Sequence, residues 1–273
     1  MLVSGVKLKK LIMEKMKYYK SLFDLKNKIT FVVGGSGLIG KEILLAHLSR
    51  GSKVVNFDIK KSNIKHQNLI SKIIDLSDYK SSSETILELI NQYGVPNIYI
   101  NCSYPKTKDW AKNNFSSLTV KSYKMNIDIH LNSYVLISRL IAEKMTKKKQ
   151  GSIILLGSIY GLVGQDLSIY KDTNMRENIT YSIIKGGVIN YTRQMASYYG
   201  PKNIRVNCLC PGGVLDKINV KNKNFIKNYK KKVPLGRLAK SREIAACCLF
   251  LSSEASTYVT GTTMVVDGGW TSI

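Results

Sequence analysis

The chain has 273 residues, of which 44% are hydrophobic and 22% are charged, so it is long enough for one large α/β domain with a full core. No apolar run approaches the roughly 18 residues that a membrane span requires, so stable membrane insertion is not expected. The formal net charge of +24 comes mostly from lysines scattered along the chain. Because no basic and aromatic recognition motif accompanies them, they indicate a solvated surface rather than a nucleic-acid partner.

Residues 1–27 form a basic N-terminal extension before the first predicted strand. Six lysines between Lys7 and Lys20 alternate with apolar residues, but no apolar core with a small-residue cleavage site follows. A secretory signal is therefore not indicated. We expect a partly helical extension, or translation that begins at Met13 or Met16, and contact with a membrane surface is the alternative.

Short β-branched runs alternate with longer helical patterns from Lys28 onward. This order is typical of βαβ units and predicts a single α/β domain over residues 28–273, a Rossmann-type doubly wound parallel sheet with helices on both faces. The predicted strands are Ile29–Val33, Lys53–Phe57, Ser71–Asp75, Asn97–Asn101, Ser152–Leu156, Arg205–Cys210 and Met264–Val266. The predicted helices are Gly40–Ser49, Ser82–Tyr93, Ser122–Lys147, Tyr181–Tyr199 and Ser241–Ser252.

A glycine-rich turn directly follows the first predicted strand. Gly34, Gly37 and Gly40 are spaced so that the backbone can turn tightly and approach a pyrophosphate, whose charge then faces the amino end of the next helix. Asp58, after the second strand, can accept both ribose hydroxyls of an adenosine and would repel a 2′-phosphate. We therefore expect NAD(H) to be favoured, with NADP(H) possible because lysines follow at positions 60 and 61. The same turn supplies three more predicted cofactor contacts, Ser36, Leu38 and Ile39.

Tyr181 and Lys185 stand four residues apart in a helical pattern, so the ammonium can lie beside the phenol. A nearby cation favours the phenolate, and Ser158, at the end of a predicted strand, can hydrogen-bond the reacting oxygen. The spacing Y-x-x-x-K occurs three times, but the pairs that begin at Tyr104 and Tyr198 cross prolines and do not lie within a helix. Taken singly, each of these residues would be ordinary; their order makes Ser158, Tyr181 and Lys185 the predicted catalytic residues.

From Phe23 to Ile273 the chain resembles the short-chain dehydrogenase/reductase superfamily, classical type. The resemblance rests on the glycine-rich turn, the residues just named, the run Asn203–Asn207 and the turn at Pro211 and Gly212. It implies that Asp75 and Leu76 contact the adenine, that Asn101 contacts the adenosine ribose region, and that Pro211, Gly212 and Val214 lie on the nicotinamide side. It also implies that Tyr181 and Lys185 contact the cofactor, and that the protein is a homo-oligomer, most simply a tetramer.

The chain departs from the family pattern at several positions. Leu38 replaces the middle glycine of the turn, and Asn101-Cys102-Ser103-Tyr104 replaces Asn-Asn-Ala-Gly. His130 stands where the family has a fourth catalytic residue, an asparagine, although Asn126 would take that place in another register. His130 is therefore a further candidate catalytic residue, and the alternative is that it only fills a helix bend.

Two segments are predicted as substrate loops, near residues 165–178 and 215–233, because insertions at strand ends line the ligand crevice in such folds. The alternative is that they are plain surface loops. The first loop and the Pro211–Asp216 run resemble oxidoreductases of flagellin-modification and nonulosonic-acid sugar pathways. This likeness suggests a phosphorylated or nucleotide-activated sugar as the small-molecule substrate.

The sequence therefore predicts an NAD(P)-dependent oxidoreductase that transfers a hydride between nicotinamide and a carbonyl or secondary alcohol. Two alternatives come from other classes: a catalytically idle NAD-binding regulatory protein, and a nucleic-acid-binding protein that uses the basic surface. The five cysteines include no CxxC pair, and their odd number argues against a closed disulfide framework, so we expect a reducing, cytoplasmic location. No metal site is indicated.

Overall fold

Seven parallel strands form one central sheet in the order β3-β2-β1-β4-β5-β6-β7. The computed structural model describes residues 5–216 and 221–273, with side-chain surroundings from residue 9 onward. The predicted doubly wound Rossmann-type fold is confirmed. The strands are β1 Ile29–Val33, β2 Lys53–Asp58, β3 Leu69–Ile73, β4 Ile98–Asn101, β5 Gly151–Leu156, β6 Ile204–Pro211 and β7 Thr263–Val266.

Helices cover both faces of this sheet. Every residue of β4 and β5 is buried, as expected for central strands of a parallel sheet that is covered on both sides. One apolar cluster centres on Phe31, Tyr99 and Ile153, and a second, on the other face, centres on Val32, Ile100 and Ile154. The helices are α1 Gly5–Ser21, α2 Leu38–Ser49, α3 Tyr79–Tyr93, α4 Val120–Asn126, α5 Ser133–Thr146, α6 Ile179–Tyr199, α7 Lys223–Lys230 and α8 Ser241–Ser252.

The predicted helix Ser122–Lys147 is not continuous. A wider π-helical segment, Ile127–Asn132, separates α4 from α5. Such segments carry one extra residue per turn and are frequent at functional sites. Here the segment contains His130, the predicted fourth catalytic residue.

Two further elements differ from the sequence prediction. The strand predicted at Ser71–Asp75 begins two residues earlier, at Leu69, because β3 is a half-exposed edge strand without a strong apolar pattern. Helix α7 and a 3₁₀ turn at Leu167–Tyr170 lie in the two segments predicted as loops.

The sequence-based hypotheses that concern residues 1–4 and 217–220 lie outside the described part of the chain. No helix in the described part is long and apolar enough to cross a membrane.

The order of the strands reverses beside β1, whose neighbours are β2 on one side and β4 on the other. In open α/β sheets, ligands bind at the carboxyl ends of the strands at such a switch point. The sheet therefore places the loops after β1, β4, β5 and β6 around one crevice.

Candidate active site

The glycine-rich turn connects the end of β1 to the start of α2. Gly34 has φ of +83°, a conformation that favours glycine, and a Cβ there would lie 2.6 Å from the backbone of Ser103. A Cβ on Gly40 would overlap the carbonyl oxygen of Gly34. Gly37 caps α2 without a side chain, so the first N–H groups of the helix carry no side-chain cap. This uncapped amino end, which includes Leu38 and Ile39, fits the pyrophosphate of a dinucleotide.

Asp58 is the last residue of β2 and lies beside the glycine-rich turn. Its carboxylate accepts hydrogen bonds from the backbone N–H groups of Ser36 at 2.9 Å and Lys60 at 3.0 Å. The Ser36 hydroxyl donates to the Lys60 carbonyl at 2.8 Å, which closes the link between the two loops. A carboxylate has about four acceptor positions, so acceptor capacity remains for ribose hydroxyls.

Asn101 ends β4 and is fully buried. Its Oδ1 accepts hydrogen bonds from the N–H of Ser103 at 3.2 Å and from the Ser103 hydroxyl at 2.8 Å. Its Nδ2 is buried and meets the geometry of no hydrogen bond to a described residue, so the side chain serves the turn after β4. Asp75 and Leu76 follow β3; Asp75 is exposed and caps the N–H of Ser77 at 2.9 Å, and Leu76 is buried.

Pro211 and Gly212 lie at the end of β6, on the opposite side of the crevice. The N–H of Gly212 donates to the Val266 carbonyl of β7 at 3.0 Å, and Val214 pairs with Ala239 as an isolated bridge. The chain after Pro211 is thus held by backbone hydrogen bonds on both sides. It forms a fixed wall where the resemblance places the nicotinamide.

Ser158, Tyr181 and Lys185 meet at the carboxyl end of β5. The Asn178 side chain caps α6 by accepting from the N–H of Tyr181 at 2.8 Å, so Tyr181 lies in the first turn and Lys185 one turn further along. The Lys185 ammonium lies 5.7 Å from the centre of the Tyr181 ring and donates to the Leu156 carbonyl at 2.7 Å. The three predicted catalytic residues are therefore neighbours in space.

Burial dominates the protonation of this group. It raises the pKa of the Tyr181 phenol to about 12, and a hydrogen bond with the Ser158 side chain opposes the rise. It lowers the pKa of Lys185 to about 8, because the ammonium is almost completely removed from water. In the protein alone, desolvation is therefore the largest influence on the protonation of the phenol, and the effect of Lys185 on it stays a prediction.

His130 is fully buried in the π-helical segment. Its ring centre lies 5.5 Å from the ring centres of both Tyr104 and Tyr134. Neither ring nitrogen meets the geometry of a hydrogen bond to a described residue. Burial, followed by the charge of Lys185, holds the pKa of His130 well below its usual value, and the nearby Pro105 carbonyl opposes this only in part. His130 is thus a neutral imidazole with unsatisfied nitrogens.

Asn126, the alternative to His130, already has its hydrogen-bonding groups occupied. Its Oδ1 accepts from the N–H of Thr107 at 3.0 Å, and its Nδ2 donates to the Thr107 hydroxyl and to the Ser122 carbonyl, both at 2.8 Å. These bonds tie the loop after β4 to α4. The Asn126 amide is thus used within the fold, whereas the ring nitrogens of His130 are not.

An aromatic wall beside Tyr181 was not among the predicted site residues. The Tyr104 ring lies edge-on to the Tyr181 ring at 5.7 Å and remains 46% exposed. Trp110 lies 6.3 Å from Tyr181, and its Nε1–H donates to the Tyr104 hydroxyl at 3.0 Å. The one sequence signal for this wall is that Tyr104 stands where the family pattern has a glycine.

The two predicted substrate loops pack against each other over the crevice. Asn228 of α7 donates to the Lys171 carbonyl at 2.9 Å, and Lys232 pairs with Asp166 at 2.8 Å. Tyr229 stacks on Trp270 at 4.4 Å between ring centres. Tyr229 and Trp270 belong to a third apolar cluster, whose buried residues are Ile159, Ile169, Phe225, Tyr229, Val233, Leu238 and Trp270.

The chain is similar to known proteins over most of its length. Residues 37–271 match the family described as enoyl-(acyl carrier protein) reductase. The post-translational flagellin modification protein A of Campylobacter coli is 30% identical over 257 residues, which cover 90% of this chain and 99% of that protein. The 3-oxoacyl-(acyl-carrier-protein) reductase of Buchnera aphidicola is 30% identical over 254 residues, with coverage of 90% and 98%.

Solved structures share the fold over nearly the whole chain. A short chain dehydrogenase from Leptospira borgpetersenii with bound NAD+ has a TM-score of 0.82 at 31% identity and covers 91% of this chain and 94% of its own. A 4-hydroxyisoleucine dehydrogenase complexed with NADH has a TM-score of 0.80 at 26% identity, with coverage of 90% and 99%.

Proposed function

We propose, from the premise that this chain belongs to the short-chain dehydrogenase/reductase family, that it transfers a hydride between NAD(H) and a carbonyl or secondary alcohol of a phosphorylated or nucleotide-activated sugar. Family membership and dependence on a nicotinamide cofactor follow from the comparisons. The observation that carries the proposal is the convergence of Ser158, Tyr181 and Lys185 beside an uncapped helix amino end.

The residues of the crevice fit a dinucleotide. The amino end of α2 would hold the pyrophosphate, Asp58 the adenosine ribose, and the backbone of the turn after Asn101 would border the ribose region. When bound, the nicotinamide supplies or accepts the hydride. A 2′-phosphate would lie beside the Asp58 carboxylate, and this repulsion is the reason for proposing NAD(H) over NADP(H).

Tyr181 is proposed to exchange the proton of the reacting oxygen. Because burial raises the pKa of its phenol, the phenol is protonated at neutral pH, which is the form that donates a proton when a carbonyl is reduced. Ser158 hydrogen-bonds the phenol in the free protein and would also hold the reacting oxygen. Lys185, fixed by the Leu156 carbonyl, would stabilise the negative charge that Tyr181 gains after it gives up its proton.

His130 is proposed to pass protons toward Lys185. Its two unpartnered nitrogens allow it to accept one hydrogen bond and donate another, which a proton relay requires. The charge of Lys185 contributes to the lowered pKa of His130, so the two groups interact electrostatically. If His130 only fills the π-helical bend, its replacement leaves the pH profile unchanged.

Three observations support a sugar substrate. The flagellin modification protein matches nearly its whole length. The Tyr104 and Trp110 rings present an amphipathic wall beside Tyr181, which suits a ring with apolar faces and hydroxyl edges. Helix α7, in the second predicted substrate loop, carries the exposed lysines Lys223, Lys227 and Lys230, which would attract a phosphate. We propose that the segment 215–233 closes over the bound substrate.

A 3-oxoacyl thioester is the second candidate substrate. The Buchnera reductase is as similar in identity as the flagellin modification protein, and the matched family carries a related description. No observation favours the regulatory or the nucleic-acid-binding alternative.

The test compares substrates and one matched pair of variants. NADH formation or consumption is followed by absorbance with UDP-N-acetylglucosamine, with free N-acetylglucosamine and with acetoacetyl-CoA. We expect the nucleotide sugar to have the highest kcat/KM, and Tyr181→Phe to lose turnover. Tyr198→Phe is the control, since Tyr198 is exposed on the same helix. Turnover of acetoacetyl-CoA far above both sugars would overturn the sugar proposal, and full activity in Tyr181→Phe would overturn the site.

We also propose a homo-tetramer in a reducing cytoplasm. The motive for the tetramer is the length of α6 and of the α4–α5 unit, which pack against symmetry mates in the family. All five cysteines are free, as a reducing compartment requires. Sedimentation velocity at micromolar concentration that returns only monomer would contradict the tetramer.

A further inference from the structure

Helix α1 projects from the body of the protein, and none of its described side chains is buried. Residues 9–21 are all exposed. They include Leu11, Ile12, Met13 and Met16, which keep between 48% and 57% of their surface in water. At 17 residues the helix is near the length at which an isolated helix is only marginally stable in water. Because residues 9–21 are exposed, the apolar residues among them lack the packing partner that an apolar helix face normally has.

The charges of α1 are arranged around its apolar residues. Between residues 9 and 21 it has five lysines and a single acidic residue, Glu14. Ile12, Met16 and Tyr19 are spaced four and three residues apart and share one stripe of the helix. Lys10 and Lys17 are two turns apart on the opposite side. The helix is thus basic and amphipathic, the pattern of helices that lie in the plane of a membrane interface.

A basic depression lies at the base of this helix. It has a volume of about 420 Å³, and its lining includes Lys20, Lys26 and Arg50. Asp24 is the one acidic residue in the lining, and its carboxylate is engaged by the N–H of Lys26 at 2.9 Å. The depression continues the positive charge of α1 onto the folded body and has the size to receive phosphate headgroups.

We propose that α1 and this depression form a peripheral docking surface for an anionic lipid bilayer. The apolar stripe would enter the boundary between headgroups and acyl chains, while the lysine side chains extend to the lipid phosphates. Pairing of α1 with a second copy is less compatible with the residues, because it would bring two strongly basic helices together and place Lys15 next to the contact.

The position of α1 in the fold keeps this surface away from the catalytic crevice. Leu25, four residues after the helix, is buried in the core, and the chain then enters β1 at Ile29. The helix therefore joins the sheet at the amino ends of the strands, whereas Tyr181 and the glycine-rich turn lie at the carboxyl ends. Docking through α1 leaves the crevice open to solvent, so vesicles should not inhibit cofactor binding.

The test is co-sedimentation of the full chain with vesicles. We expect binding to vesicles of equal parts phosphatidylcholine and phosphatidylglycerol, weak binding to phosphatidylcholine alone, and a decrease with added salt. Lys17→Glu/Lys20→Glu should lower the partition coefficient roughly 25-fold or more, since each lysine near an anionic surface contributes a factor of about five. Ile12→Ser/Met16→Ser should lower it about tenfold or more, because it removes apolar surface from the stripe.

Lys80→Glu/Lys124→Glu is the matched control, because it makes the same change of net charge on exposed lysines of α3 and α4. It should bind vesicles like the parent, and all variants should keep the parent's NADH affinity. Equal binding of the parent to the two kinds of vesicle, or no binding, would overturn the proposal. So would an equal loss in the control. A lower mass of Ile12→Ser/Met16→Ser in sedimentation velocity would instead assign the stripe to a second copy.

Discussion

Replacement of Lys185 by methionine is expected to stabilise the fold at neutral pH while it abolishes turnover. The Lys185 side chain is 3% exposed, and burial lowers its pKa from the ordinary value of 10.5 to about 8. At about 1.4 kcal/mol for each pKa unit, the charged form is destabilised by about 3 kcal/mol. Methionine removes this penalty but leaves the buried Leu156 carbonyl without the donor that now lies at 2.7 Å, which costs about 2 kcal/mol. The net gain is therefore about 1 kcal/mol.

The dependence on pH separates this cause from a general packing effect. Between pH 8 and 10.5 the unfolded chain retains the lysine proton while the folded protein has lost it, so the parent's free energy of unfolding rises with pH in that window. Below pH 8 both states are protonated and the penalty is complete. Because methionine does not titrate, the advantage of Lys185→Met over the parent should fall by about 2 to 3 kcal/mol from pH 7 to pH 10.

Urea unfolding at pH 7 and pH 10, followed by circular dichroism at one protein concentration, measures this difference. Lys124→Met serves as the control, since Lys124 is exposed and its replacement should change stability by less than about 0.5 kcal/mol at either pH. If the difference between the parent and Lys185→Met is the same at both pH values, the buried charge is not what destabilises the parent.

Four further outcomes are expected. Tyr181→Phe should lower kcat roughly 100- to 10,000-fold with NADH affinity by fluorescence titration within about twofold, because only a proton transfer is lost; weakened NADH binding of the same size would contradict this. Asp58→Ala should shift the ratio of kcat/KM toward NADPH by about tenfold or more; a parent that already prefers NADPH would refute the role of the carboxylate. Gly35→Ala places a Cβ against the buried Asn56 Oδ1, so it should lower stability by about 1 to 3 kcal/mol and lower Tm; an unchanged Tm would show that Asn56 moves freely. His130→Asn should change the pH dependence of kcat, and an unchanged profile would eliminate the relay.

The fold could be predicted because its central strands are buried on both faces and read as continuous apolar runs. For β1 the predicted limits, Ile29 and Val33, agree with the structure. At the sheet edge, where β3 is half exposed, the pattern is weak and the prediction moved by two residues. Helix α7 was missed because lysines interrupt its apolar residues, and only Phe225 and Tyr229 are buried.

The site was predictable where local sequence determines it and not where distant residues meet. Tyr181 and Lys185 share a helix, so their spacing alone places them together. Tyr104 and Trp110 reach Tyr181 from a loop more than 70 residues earlier in the chain, and no periodicity reports such a contact. The rise in the pKa of Tyr181 cannot be read from the sequence, because the degree of burial of a phenol is a property of the tertiary structure.

The two tryptophans of this chain make its intrinsic fluorescence selective for one region. Trp110 lies in the wall beside Tyr181, and Trp270 lies in the apolar cluster that joins the two crevice segments, stacked on Tyr229. Emission excited at the red edge of the indole band therefore comes from opposite sides of the crevice and from nowhere else. Trp270 is buried against the Tyr229 ring, whereas Trp110 lies beside the partly exposed Tyr104 ring. A soluble quencher therefore distinguishes the emission of the two tryptophans. The protein thus carries its own optical reporter of crevice opening, without any label.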